Sequence, residues 1–107
     1  MIYNVDQVDL MAERKDGGLD LFIISSGSID DSPDTQKLLL DKVDNYLCYV
    51  NSKTFAAEFP KIKKNKVTII FELAEPAPQL LLELCEKIVP WAKDNGVRFA
   101  VAFQNSK

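Results

Sequence analysis

The side chains best suited to chemistry in this chain are carboxylates, and the most unusual are Asp6 and Asp9 in the stretch Val5-Asp6-Gln7-Val8-Asp9-Leu10. Acidic residues are poor strand formers, yet this stretch leads into an alternating segment. The two aspartates therefore have two readings: they bond nearby backbone at the entrance of a strand, or they contribute to a binding site. Lys42 and Tyr46 form a second pair, one helical turn apart and so able to share a contact. A lysine laid along apolar surface beside a core tyrosine also accounts for them.

Acid–base catalysis by carboxylates needs one of them in an apolar pocket with its pKa raised. Asp41 and Asp44, and Glu83 and Glu86, fall on outward helix faces, where solvated charge is expected. Asp30, Asp31 and Asp34 lack the spacing and the distant glutamate of a calcium loop, so they read as helix-capping residues. The chain has no histidine, which excludes Ser/His/Asp and Cys/His nucleophilic systems and histidine metal sites. Neither a P-loop nor a dinucleotide fingerprint is present. Cys48 and Cys85 lack C-x-x-C spacing and read as reduced thiols. No catalytic constellation, metal site or cofactor is expected, and the balance leans away from an enzyme.

The elements that must position these residues follow from periodicity. Val5 to Arg14 alternates as a strand, Lys15-Asp16-Gly17-Gly18 is a turn, and Leu19 to Ser25 is the returning strand. Ser32 to Ser52 has the 3.6-residue period of a long amphipathic helix, with Ser32 as N-cap and Pro33 at the first helical position. Thr54 to Phe59 reads as a short extra turn ended by Pro60. The lysines at 61, 63, 64 and 66 read as a solvated loop. Val67 to Leu73 is the clearest strand, Gln79 to Asn95 a second long helix containing Pro90, and Val97 to Gln104 the last strand, with Val97, Phe99, Val101 and Phe103 inward.

The order ββαβαβ predicts an α/β (α+β) fold: a two-layer sandwich with a four-stranded mixed sheet, strand order 1-2-3-4, and two helices packed on one face. The other sheet face would then show Met11, Phe22, Ile24, Ile70, Ala100 and Ala102 among polar residues. A contiguous apolar patch of this kind suits a homodimer or protein-partner interface. A strand order sending one helix to each face would instead bury these residues. A chain of 107 residues suits one domain spanning 1–107.

Composition limits the partners. The hydrophobic fraction of 47% and charged fraction of 27% are those of a globular protein. A net charge of −3 and a pI near 4.9 provide no general attraction for nucleic acid or an anionic membrane. No apolar run is long enough to span a bilayer. The opening residues lack the pattern of a secretory signal, so a cytoplasmic location is expected.

The opening VDQVDLM, the helix segment Leu39-x-x-Lys42-Val43-x-x-Tyr46 and the Pro60 before the third strand together resemble a bacterial family of small domains of unknown function. The resemblance implies a bacterial cytoplasmic protein and carries across no catalytic residues. It directs attention to Asp6, Asp9, Lys42 and Tyr46 as candidate binding positions. The leading expectation is a non-enzymatic interaction or accessory module, immunity-type or regulatory, using the open sheet face. The alternative is a small-molecule binding domain or a histidine-independent enzyme using carboxylates, with Asp6 or Asp9 beside a pocket.

Overall fold

A computed structural model describes residues 8–104, apart from the side chain of Lys64. The chain is α+β. Its strands are β1 (Leu10–Glu13), β2 (Leu19–Ser25), β3 (Val67–Leu73) and β4 (Arg98–Phe103). Its helices are α1 (Pro33–Val50), α2 (Lys53–Glu58) and α3 (Gln79–Asp94), and a single 3-10 turn, Lys64–Lys66, precedes β3. The four strands form one mixed sheet in the order β1-β2-β3-β4. The pair β1/β2 is antiparallel, while β2/β3 and β3/β4 are parallel.

Helix α1 starts where local chemistry sets it. Ser32 is extended, its side chain accepts the Thr35 amide at 3.2 Å, and Pro33 occupies the first turn. Asp30 supports this cap, accepting from the Ser32 amide at 3.1 Å, the Ser32 hydroxyl at 3.0 Å and the Thr35 hydroxyl. The helix buries Thr35, Leu39, Lys42, Val43, Tyr46, Leu47 and Val50, one stripe at helical spacing. Helix α3 runs through Pro90, which is exposed, and buries Leu81, Cys85, Ile88 and Ala92. These residues, with Leu19, Leu21, Ile23, Val67, Ile69 and Phe71 from the sheet, form one hydrophobic core.

The helix count corrects the expected two. Thr54 to Phe59 does not stop at a turn: Ser52 caps a third, six-residue helix by accepting the Phe55 amide at 3.1 Å. Phe55 is buried and packs edge-on against Tyr49, with ring centroids 5.3 Å apart, and also contacts Phe59. This aromatic cluster anchors a helix too short to persist alone.

The first strand is shorter than its alternation suggested. Val8 and Asp9 lie outside the ladder, and residues 5–7 lie outside the described residues. Its facing is also corrected. Leu10 stands opposite Phe22 and Met11 opposite Leu21. Directly paired residues share a face, so Met11 lies on the side of the buried Leu21, and Leu10 takes the place expected of Met11. The tight turn sets this register, with Arg14 N–H on Gly18 O at 2.9 Å and Gly17 N–H on Arg14 O at 3.1 Å. At the opposite edge, Phe99 is buried, Val101 is half-buried and Phe103 is 58% exposed, so the expected inward row of the last strand emerges from the core at its end.

Candidate functional site

Residues 20, 22 and 24 of β2 alternate with buried neighbours and are half-buried, as are 68, 70 and 72 of β3. On β4, Arg98 and Ala100 are exposed and Ala102 is half-buried. The registers align these positions in rows. Asp20, Thr68 and Arg98 form a polar row; Leu10, Phe22, Ile70 and Ala100 form an apolar row across all four strands; Ile24, Glu72 and Ala102 form a mixed row. Leu10 is 53% exposed. Of the apolar residues expected on this face, Phe22, Ile24, Ile70, Ala100 and Ala102 are brought together and Met11 is not.

The polar row is organised at its β1 end by Arg14. Its guanidinium pairs with Asp20, donates to Lys66 O at 2.7 Å and reaches Asp16 at 3.2 Å. Lys66 in turn donates to Asp16 O at 3.0 Å. Gly18 lies directly under the guanidinium: a Cβ there would collide with Arg14 and stand 2.6 Å from Lys66 O. This small network ties the β1–β2 turn to the start of β3. Lys66 is thus engaged with the turn, whereas Lys61 and Lys63 are exposed.

Three of the four candidate binding residues meet where β1 runs out. Asp6 lies outside the described residues. Asp9, Lys42 and Tyr46 form one buried cluster. Lys42 Nζ is 2.7 Å from Asp9 Oδ1, with the lysine side chain fully buried and that of Asp9 5% exposed. Asp9 Oδ2 accepts the Ile24 amide at 2.9 Å. The Tyr46 hydroxyl accepts the Asp9 amide at 2.9 Å and donates to Phe22 O at 2.5 Å. Lys42 Nζ also stands 5.8 Å from the centre of the Tyr46 ring.

Backbone geometry explains the arrangement. Successive peptide groups in a strand point to opposite sides. Ser25 O accepts from Ala74 N–H on the β3 side, so the Phe22 carbonyl and Ile24 amide point towards β1. Beyond Leu10 the ladder has ended, and side chains take its place. Lys42 then supplies the countercharge that a buried carboxylate requires.

The electrostatics follow. Burial pushes the Asp9 carboxyl up, but hydrogen bonds and opposite charge, those of the Lys42 ammonium and the Ile24 amide among them, outweigh it and hold the carboxyl below its ordinary range. Burial pushes the Tyr46 phenol well above its usual value. Burial likewise raises the Cys85 thiol to about 11, while Cys48 is exposed. Among the described residues no buried side-chain nitrogen or oxygen lacks a partner, and no group of three or more His, Cys, Asp or Glu residues is placed to hold a metal ion.

A groove of about 650 Å³ lies along β4, lined by Asn65, Thr68, Val89, Lys93, Arg98 and Phe99 among others. Asp9, Lys42 and Tyr46 are not among its lining residues. Sequence reasoning missed this groove and the role of Leu10. The phase of Lys42, in line with Leu39 and Tyr46 on the buried stripe of α1, was the available signal that it is enclosed rather than running out to solvent.

The fold and site define a small α+β domain with a polar cluster enclosed at one sheet edge and an apolar row on its more exposed face. A model described as a family of unknown function, DUF6572, matches residues 1–105, and the chain belongs to that family. Neither the curated proteins nor the solved structures yield a match to it. Among the described residues no helix is long and apolar enough to cross a membrane.

Proposed function

We propose that this chain is a single-domain, non-enzymatic interaction module that docks a protein partner on the exposed sheet face. In this reading the two long helices cover the opposite face in a two-layer sandwich. The observation that carries it is the row Leu10, Phe22, Ile70 and Ala100, which registers one apolar side chain from each strand. Apolar residues scattered singly over a surface are ordinary, but a contiguous patch flanked by polar rows is characteristic of an interface. The flanks here are Asp20, Thr68 and Arg98 on one side and Glu72 with Gln104 on the other, the last two 3.3 Å apart.

In the same reading Asp9, Lys42 and Tyr46 are positioning residues. They fasten the chain before β1 to β2 and α1, and so hold Leu10 in the row. They bond one another and the backbone of β2, which favours this role over ligand binding. An accessory or regulatory role in a bacterial cytoplasm is the setting that fits best. The test is affinity capture from the native host with wild type and Ile70→Lys. Recovery of a partner in comparable amount by wild type, with loss in the variant at unchanged circular dichroism, is the expected result. Equal recovery by both would remove the exposed face from the account.

The β4 groove favours a second reading, a small-molecule binding domain, because Lys93 and Arg98 place cationic groups beside apolar lining. Ligand-dependent thermal shifts abolished by Arg98→Ala would support it, and a flat response across anionic metabolites would remove it.

A further inference from the structure

The two edges of the sheet are not equivalent. Strand β1 has four residues and ends in Glu13, with Arg14 and Lys15 following. Short, charged edges resist pairing with other chains. Strand β4 has six residues, five of them apolar, and contains neither proline nor lysine. Gln104 N–H bonds Leu73 O at 2.8 Å, so the peptide groups of the even-numbered residues point to β3. By alternation those of Phe99, Val101 and Phe103 point outwards from the edge. Three amides and three carbonyls therefore lie along a free sheet edge among the described residues.

This edge is self-complementary. The segment Phe99-Ala100-Val101-Ala102-Phe103 reads the same in both directions, and its outward peptide groups are symmetric about Val101. We propose that a second copy of this chain occupies the edge, with two β4 strands pairing antiparallel about a two-fold axis at Val101. In that register all six outward groups of each strand are matched. Phe103 stands against Phe99 of the second copy, Val101 against its equivalent, and Ala100 against Ala102. Arg98 of one copy faces Gln104 of the other, beside the Glu72 carboxylate that Gln104 already contacts, so the ends are complementary in charge. Such an isologous contact closes on itself and does not propagate into fibres.

The same pairing covers apolar surface that the monomer leaves open. Phe103 is 58% exposed and Val89 44% exposed, and Leu82, Val89, Val101 and Phe103 line a second groove along this edge. Joining the sheets gives eight continuous strands, with the apolar row of each copy running into the Ile24, Glu72 and Ala102 row of the other. The inference does not depend on what docks on the exposed face, because the pairing itself is made by the outward peptide groups of Phe99, Val101 and Phe103.

Sedimentation equilibrium of the full chain over the micromolar to hundred-micromolar range tests it. The expected species has twice the 12.1 kDa chain mass. Phe103→Lys changes an exposed side chain, and Val101→Pro removes an amide that makes no bond to β3. Each is expected to weaken the dimer at least about tenfold with unchanged circular dichroism, whereas Ile70→Lys on the exposed face leaves the mass unchanged. A monomer throughout the range, a dimer insensitive to both edge variants, or a dimer broken by Ile70→Lys alone would each overturn the proposal.

Discussion

Lys42 is the residue on which the polar chemistry of the fold turns. A fully buried ammonium needs a countercharge, and Asp9 stands 2.7 Å away; breaking such a buried pair by removing one member is strongly destabilising. Asp9→Asn keeps an oxygen for the Ile24 amide but not the charge, so it is expected to lower unfolding free energy by about 3 kcal/mol in urea denaturation. The double variant Asp9→Leu, Lys42→Met is expected to recover much of that loss, since an apolar replacement removes both charges together. The pH dependence follows from the lowered Asp9 pKa. A carboxyl depressed in the folded state stabilises above its unfolded value and loses that contribution as pH falls through its folded value. The gap between wild type and Asp9→Asn is therefore expected to be full at neutral pH and to close on acidification below the ordinary aspartate value of 3.8. At Tyr46, Phe substitution strips a hydroxyl that serves two backbone groups and is expected to cost about 1–3 kcal/mol. The sequence made these residues conspicuous without revealing their partnership, because Asp9 and Lys42 are far apart in the chain and only the place where β1 stops brings them together.

Elements were legible where one period ran uninterrupted. The long helix starts at Ser32 and Pro33 as its cap chemistry requires, and β2, β3 and the second long helix fall close to their expected bounds. Ser32→Ala is expected to lower stability by about 1 kcal/mol, measured as a shift in the denaturation midpoint. Boundaries failed where tertiary contacts decide. Strand β1 begins only at Leu10 because side chains replace its ladder before that point, and the six-residue helix after Ser52 depends on the packing of Phe55 against Tyr49. The facing of β1 could not be read from its own alternation, since which side faces the core is set by how the Arg14 to Gly18 turn aligns it with β2. Gly18 is fixed by that same turn. Gly18→Ala forces the Arg14 guanidinium from its place over the backbone and is expected to cost about 1–3 kcal/mol, with a lowered thermal midpoint.

At the scale of the whole molecule the sheet has three unlike borders: a short charged edge at β1, a longer apolar edge at β4, and a face crossed by an apolar row. The alternation of buried positions was readable from the sequence, but two strand orders stayed open there; the observed order β1-β2-β3-β4 puts the expected residues on one face, apart from the exchange of Met11 for Leu10. The exposure of Phe103 was not, because periodicity assigns a side but cannot tell whether a helix reaches far enough to cover it. The account rests most heavily on the face as the docking surface. Its most direct measurement is site-specific photocrosslinking in the native host, with the crosslinker placed at Ile70 on the exposed face and at Asp44 on the outward side of α1. The account predicts a discrete protein adduct from position 70 and none from position 44; the same adducts from both positions, or none from position 70, would contradict it.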